Sequence, residues 1–424
     1  MKIAVIGSGI SGLGAAYLLS QKYQVTVFEK EAELGGHSRT VEAKTPDGTV
    51  PVDTGFIVFN HRNYPHLTAF FKHLNVPTVP SNMSFGVSVQ NGWLEYGTLR
   101  PLNMFAQKRN LIRPKFWKML RDITRFNKQA HNYLEASTSL SLDDCLNTLK
   151  MGEWFRRYYL LAMGGAIWST PLQQMHRFPA QTFLRFFNNH GLLTINDHPQ
   201  WHTVKGGSRE YVKRLERKLN ETLGAKIEKS TGIKNVKRAA KGVIVETLTG
   251  EKHTFDHVVF ACHSDQALAM IDAPTPAEKD VLGAVKYQPN KVVLHSDIRL
   301  MPRRRKTWSS WVYLTHQKDD KNEAVSLSYW MNNLQPLATK TPIIATLNPA
   351  QAPDPALTYD EHTFHHPLFD QAAIDAQAKL PEIQGADRLW FCGAWQRYGF
   401  HEDGLWSAVE MAKKLDCSPQ WKTE

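Results

Sequence analysis

The sequence predicts an α/β protein whose first element is a strand of a parallel sheet, on the strength of two local patterns and one count. Residues 3 to 6 (Ile-Ala-Val-Ile) form an unbroken apolar run, as expected of a strand buried on both faces. Gly7-Ser8-Gly9-Ile10-Ser11-Gly12 follows at once, and Leu13 to Gln21, rich in Ala and Leu, continues as a helix. The count is of material: 424 residues, 42% hydrophobic and 21% charged, suffice for a large core, and about 150 residues per domain gives two or three domains.

Each element of the opening unit has a chemical reason. Gly7 permits the tight turn, Gly9 lets backbone approach a pyrophosphate, and Gly12 lets the helix pack closely on the strand, while the helix start at Ser11 offers free N–H groups to phosphate. A second strand, Gln24 to Phe28, ends in Glu29, with Lys30 after it. An acid about 20 residues on accepts hydrogen bonds from a ribose, which favours an adenosine without a 2′-phosphate. The unit is therefore Rossmann-like, and NAD and FAD share it.

Leu34-Gly35-Gly36-His37-Ser38-Arg39-Thr40 adds a second glycine turn with a cation, suited to holding a pyrophosphate from the other side. A pyridine-nucleotide enzyme has no need of this clamp. Here the chain resembles the FAD-binding amine oxidase superfamily (monoamine oxidase and phytoene desaturase type), whose N-terminus reads glycine loop, Glu, Gly-Gly-x-x-Arg. Asp53-Thr54-Gly55-Phe56 is similar to the Asp-x-Gly turn that the superfamily places near the isoalloxazine.

That resemblance implies an FAD domain assembled from three stretches, with FAD bound noncovalently. The middle stretch matches in Trp201 to Ser208, in the periodic Tyr211 to Leu223, and in a meander with its returning strand at Ile233, Val243 to Thr247 and Asp256 to Ala261. The last matches in Leu389 to Ala394 and in a helix, Gly404 to Leu415, whose N-terminus would face the flavin. By this resemblance the cofactor residues are Gly7, Gly9, Ser11, Gly12, Glu29, Lys30, Gly36, His37, Ser38, Arg39, Gly55, Phe56, Ile233, Ala261, Gly393, Asp403, Gly404 and Leu405. One departure stands out: many members carry an acid soon after the last glycine, whereas this chain has Gly393-Ala394-Trp395. Two readings of Asp403 follow, a substitute for that acid or a helix N-cap without cofactor contact.

The expected architecture is amine oxidase-like with two domains: a discontinuous FAD domain (1–76, 201–286, 385–424) and an α+β substrate domain (77–200, 287–384). Strings such as Pro289 to Asp297, Ser328 to Asn332 and Gly399-Phe400-His401-Glu402-Asp403-Gly404 further resemble a bacterial branch of predicted NAD/FAD-binding proteins. Its plant relatives are similar to the N-terminal half of cyclopropane fatty-acid synthases. The branch implies a link to acyl-chain modification and an acyl-modifying methyltransferase as a partner.

Catalytic assistance is expected from few residues. The superfamily's oxidases place a Lys near flavin N5 on the strand that re-enters after the meander, and the comparable segment holds Asn290 and Lys291, of which one alone can face inward. Phe400 takes the place of one cage ring of the oxidases, which suits an apolar substrate. His401 could exchange a proton near neutral pH, or it could brace the loop with Glu402. The reaction expected is hydride transfer from a substrate carbon to flavin N5, acting on lipid acyl chains. The alternatives are an amine oxidase with a soluble amine, and a non-catalytic flavoprotein beside a methyltransferase.

Composition removes other classes. Four scattered cysteines with no CxxC pair give neither a zinc site nor a disulfide framework, and the uncharged apolar stretch Tyr158 to Trp168 is 11 residues with two glycines, against the roughly 20 of a membrane span. Nor does the N-terminal segment read as a secretory leader, so a cytoplasmic protein is expected. The 18 histidines lack ligand spacing and no metal is expected. An excess of 51 Lys and Arg over 40 Asp and Glu favours anionic partners. Residues 99 to 128 hold nine of those cations, interleaved with Phe116, Met119, Leu120, Ile123 and Phe126 at helical spacing. This segment is either an ordinary helix with a solvated basic side or a peripheral contact with the inner face of an anionic membrane. Arg303 to Lys306, beside Trp308 and Trp311, has the same two readings. No nucleic-acid recognition module accompanies the charge.

Overall fold

A computed structural model describes residues 1–134, 140–168, 175–194, 198–315 and 326–423. Five parallel strands form one sheet in the order Lys226–Glu228, Gln24–Phe28, Lys2–Ile6, His257–Phe260, Leu389–Phe391. The first strand is central, which is why its apolar run is unbroken. Its residues alternate between two cores: Ile3 and Val5 pack with the helices Ile10–Leu19 and His401–Lys413, while Ala4 and Ile6 pack toward the antiparallel meander Ile233–Ala239, Gly242–Thr247, Lys252–Phe255. The expected Rossmann-like layer is present.

A second sheet has seven strands in the order Thr358–Leu368, Lys286–His295, Ile344–Leu347, Ser326–Trp330, Trp311–Thr315, Phe85–Val89, Leu94–Gly97. Neighbours are antiparallel except for Trp311–Thr315 beside Phe85–Val89. The helices Pro114–Gln129, Leu161–Trp168 and Ala180–Asn189 share a core with this sheet through Phe116, Phe126, Phe183, Phe187 and Tyr313. The first of them is the basic segment predicted from periodicity, with Phe116, Met119 and Phe126 buried and Lys115, Lys118, Arg121 and Lys128 in solvent.

A buried carboxylate fastens segments from both regions together. Asp53 closes the hairpin Thr40–Thr45/Gly48–Asp53 and is fully buried. Its oxygens accept from Thr40 Oγ1 at 2.6 Å, from Ser208 N at 2.8 and 3.0 Å, from Ser208 Oγ at 2.8 Å and from Gln335 Nε2 at 2.8 Å. The Asp53 N–H in turn donates to Gln335 Oε1 at 2.9 Å. Every side-chain partner is a donor, so an amide in place of one oxygen would set donor against donor. Asp53→Asn should therefore destabilise the protein by about 2–4 kcal/mol in chemical denaturation; a loss within about 0.5 kcal/mol, the range of an ordinary surface substitution, would remove Asp53 from this role.

Candidate functional site

The ends of the parallel strands and the inner face of the seven-stranded sheet enclose one continuous cavity of about 2580 Å³. Ordinary small-molecule pockets hold about 300–1,000 Å³, so there is room for a dinucleotide and a second molecule.

At the parallel-sheet end the chain backbone does most of the work. A side chain on Gly12 would place its first carbon 1.9 Å from the Gly7 carbonyl oxygen, so only glycine lets the helix Ile10–Leu19 start this close to the strand. Gly9, by contrast, has nothing within 4 Å of that position and faces open space. Gly36 abuts Gly9, and Gly35 N–H donates to Ser8 O at 3.0 Å, so the two glycine turns meet over the helix N-terminus, which has no side-chain cap. Glu29 accepts from Ser8 N at 2.9 Å, Ser8 Oγ at 2.6 Å and Glu31 N at 3.0 Å. A carboxylate has about four acceptor positions, which leaves one for a ribose hydroxyl. Lys30, Ser11, His37, Ser38, Gly55, Phe56, Ile233, Ala261 and Gly393 line the same cavity.

Arg39 also lines it, but its charge is committed within the protein. Its guanidinium forks onto Asp360 at 2.7 and 2.9 Å and donates to Thr54 Oγ1 at 3.2 Å. Arg39 thus ties the second glycine turn to the strand Thr358–Leu368 from within the cavity wall, where the clamp expected of it would act.

Burial and facing place the other expected site residues. Lys291 points outward, about half exposed, and pairs with Glu361 at 2.8 Å; Asn290 points inward, fully buried. Yet Asn290 does not reach the cavity: its Oδ1 accepts from Asn348 Nδ2 at 2.7 Å and its Nδ2 sits 2.8 Å from His366 Nδ1, so it positions His366, which does line the wall. Asp403 accepts from Phe400 N at 2.9 Å and caps the helix His401–Lys413, outside the cavity lining. Leu405 is core, and Gly404 allows contact with Ile10 and Ser11, where a side-chain carbon would come within 2.8 Å of each.

His401 is placed in the wall, stacked on Phe56 at 3.8 Å, with Nε2 2.8 Å from Tyr211 Oη and 3.1 Å from Ser38 Oγ. Burial, reinforced by His37, lowers its pKa to about 3, so it is neutral at physiological pH and does not shuttle protons there. His37 and His263 are held near 4 by burial in the same way. Among the described residues no three His, Cys, Asp or Glu side chains converge as a metal would require. Cys392 lies behind the cavity with its sulfur 3.8 Å from Ser11 O.

Sequence reasoning missed two buried indoles at the cavity. Trp395, beside Gly393, and Trp311, on the seven-stranded sheet, both line it, and the Nε1 of each is buried without an acceptor, that of Trp395 packed against Gly393. Only tertiary structure shows either one, because indole at a turn is ordinary core material. Phe400 is in the lining as expected, stacked on Phe186 at 4.8 Å.

Comparison with known proteins agrees with this geometry. Residues 10–336 match the family described as flavin containing amine oxidoreductase. Prenylcysteine oxidase 1 of Rattus norvegicus is 35% identical over 95 residues, 22% of this chain and 18% of that enzyme's length. The chain thus spans under a fifth of this curated relative. The fold is shared with a CLA-producing fatty acid isomerase from P. acnes (TM-score 0.68, 14% identity, 97% of this chain and 98% of that one). It is shared also with cyclohexylamine oxidase from Brevibacterium oxydans IH-35A (TM-score 0.67, 14% identity, 98% and 99%).

One outcome is expected. Glu402, which accepts from His66 N at 3.0 Å and Leu67 N at 2.8 Å, is raised by burial from its ordinary 4.5 to about 7, and Asp403 to about 6. The folded chain then binds protons that the unfolded chain has released, so stability present below the ordinary values is lost as pH rises through about 7. Thermal melts should show the melting temperature falling across that window and falling less in Glu402→Gln; equal slopes in both would refute the assignment.

Proposed function

The chain belongs to the flavin containing amine oxidoreductase family and is an FAD-dependent oxidoreductase, and from this premise we propose that it acts on a lipid acyl chain. When bound, the flavin supplies the acceptor for two electrons and a hydride from a substrate carbon. The residues of this chain bind, orient and keep water out.

One observation carries the substrate class. Among the described residues, every carboxylate that lines the cavity, Glu29, Glu31, Glu33 and Glu216, belongs to the segments around the first glycine loop and to the helix Arg209–Arg217. The other end is walled by Met104, Leu120, Ile123, Met163, Ile167 and Phe186, with no acid among the described residues there. A cationic amine would lose its hydration there without a counterion, whereas methylenes gain about 0.8 kcal/mol each on leaving water. His190, in the same wall, is held near 4 by burial and adds no charge. Phe400 supplies an apolar face beside His401. The fold accommodates both chemistries elsewhere, since its relatives include a fatty acid isomerase and a cyclohexylamine oxidase.

The test is the flavin absorbance under anaerobic conditions, first with detergent-dispersed phospholipids and free fatty acids, then with a panel of amines. Bleaching by acyl lipid is the expected result. Bleaching by amines alone would return the protein to the amine oxidases, and an oxidised spectrum with every donor would favour the accessory role beside a methyltransferase.

A further inference from the structure

Two basic segments, about two hundred residues apart in sequence, meet on one face of the molecule. Ala106 to Arg109 and Arg304 to Lys306 line a single shallow depression, and the turn Pro101–Phe105 packs on both Lys108–Ile112 and Arg305–Thr307. Large apolar side chains stand out from this face: Ile112 is 83% exposed, Leu102 82%, Leu111 51% and Trp117 49%. These are four of the eight exposed large hydrophobic residues among those described, gathered in 16 consecutive positions, which is clustering rather than scatter. They are held in place, since Trp117 Nε1 donates to Leu111 O at 2.9 Å and its ring lies 5.3 Å from Phe105.

The charge around them has one sign. Lys108, Arg109, Lys115, Lys118, Arg121 and Lys306 are exposed, and none has an acidic partner among the described residues. The local acids are spent: Glu95 is buried against Arg304 at 2.7 Å and Asp122 against Arg125 at 3.0 Å. A polyanion such as nucleic acid would use the cations and leave the apolar side chains in water; an apolar protein surface would leave the cations unused. A surface with anionic headgroups over hydrocarbon uses both.

The helix Pro114–Gln129 joins this face to the cavity. Leu120, Ile123, Thr124 and Asn127 line the cavity wall, and Pro101 and Met104 of the preceding turn line it too. We propose that this face docks on an anionic phospholipid bilayer, with Leu102, Leu111, Ile112 and Trp117 entering the interfacial zone and the cations resting on headgroups. Delivery of an acyl chain past Met104 and Leu120 rests on the acyl-chain reading above; docking itself does not.

The experiment is sedimentation of the flavin-loaded full chain with vesicles of phosphatidylcholine alone or with added phosphatidylglycerol, in the absence of turnover. Binding should require the anionic lipid. It should fall about fivefold for each of Lys115→Gln and Lys118→Gln, and at least tenfold in Leu102→Asp/Ile112→Asp, with circular dichroism and flavin absorbance unchanged. No binding to anionic vesicles, or binding indifferent to Leu102→Asp/Ile112→Asp, would overturn the proposal, the second outcome marking mere polyanion adsorption. Lipid bleaching in detergent reads the substrate separately, so docking without bleaching removes the acyl substrate and keeps the surface, and bleaching without docking does the reverse.

Discussion

The arrangement of the cavity depends on one buried negative charge. Asp53 is the end of a short hairpin, and its partners come from Thr40 on the same hairpin, from Ser208 at the start of the helix Arg209–Arg217, and from Gln335 after the strand Ser326–Trp330. Burial raises its pKa to about 6, against the pull of those hydrogen bonds, so it is ionised at neutral pH. An ionised group in the interior cannot shed its donors without a large desolvation cost. Three segments that the sequence separates by more than a hundred residues are thereby held in register, and the wall formed by Thr54, Gly55 and Phe56 follows directly after the anchor.

From that frame a polarity gradient arises along the cavity. Glycine turns, a helix N-terminus and acids gather at the parallel-sheet end, where a pyrophosphate and a ribose need donors and acceptors. Beyond His401 the wall becomes aromatic and aliphatic. The histidines between the two regions are uncharged through burial, and the Arg39 charge beside them is paired with Asp360. In the proposed reaction the redox step is left to the cofactor, and the protein contributes position and dryness.

How much of this was legible in the sequence depended on whether the determining interaction was local. Strand, glycine loop, helix and Glu29 lie within 29 residues, and each is dictated by backbone sterics that neighbouring residues express, so the layer and its order emerged from the chain alone. The facing of Asn290 and Lys291 did not, because period-2 alternation says that the two differ and never which is inside; the partner strand Thr358–Leu368, bringing Glu361 to the solvent face, decides it. The ion pair of Arg39 was hidden for a similar reason. Its acidic partner, Asp360, lies 321 residues away, and no local pattern connects them. The Trp395 and Trp311 N–H groups were invisible because a missing acceptor is a property of the packed interior alone.

The same distinction separates the two ends of the basic helix. Its periodicity announced an amphipathic element and left its outer side ambiguous, since a solvated face and a membrane face need the same cations. What supports the proposed membrane face is the company the helix keeps in three dimensions: the segment before it turns apolar side chains outward, and Arg304 to Lys306 arrive from the other half of the chain. A segment that packed solely for stability would gain by burying Leu111, Ile112 and Trp117, each offering hydrophobic stabilisation that the fold leaves unused. Keeping them exposed at the rim of a wall whose inner face is Leu120 and Ile123 puts two apolar surfaces on consecutive elements, one turned to the cavity and one turned out. An acyl chain passing between them would cross the width of a helix rather than open water.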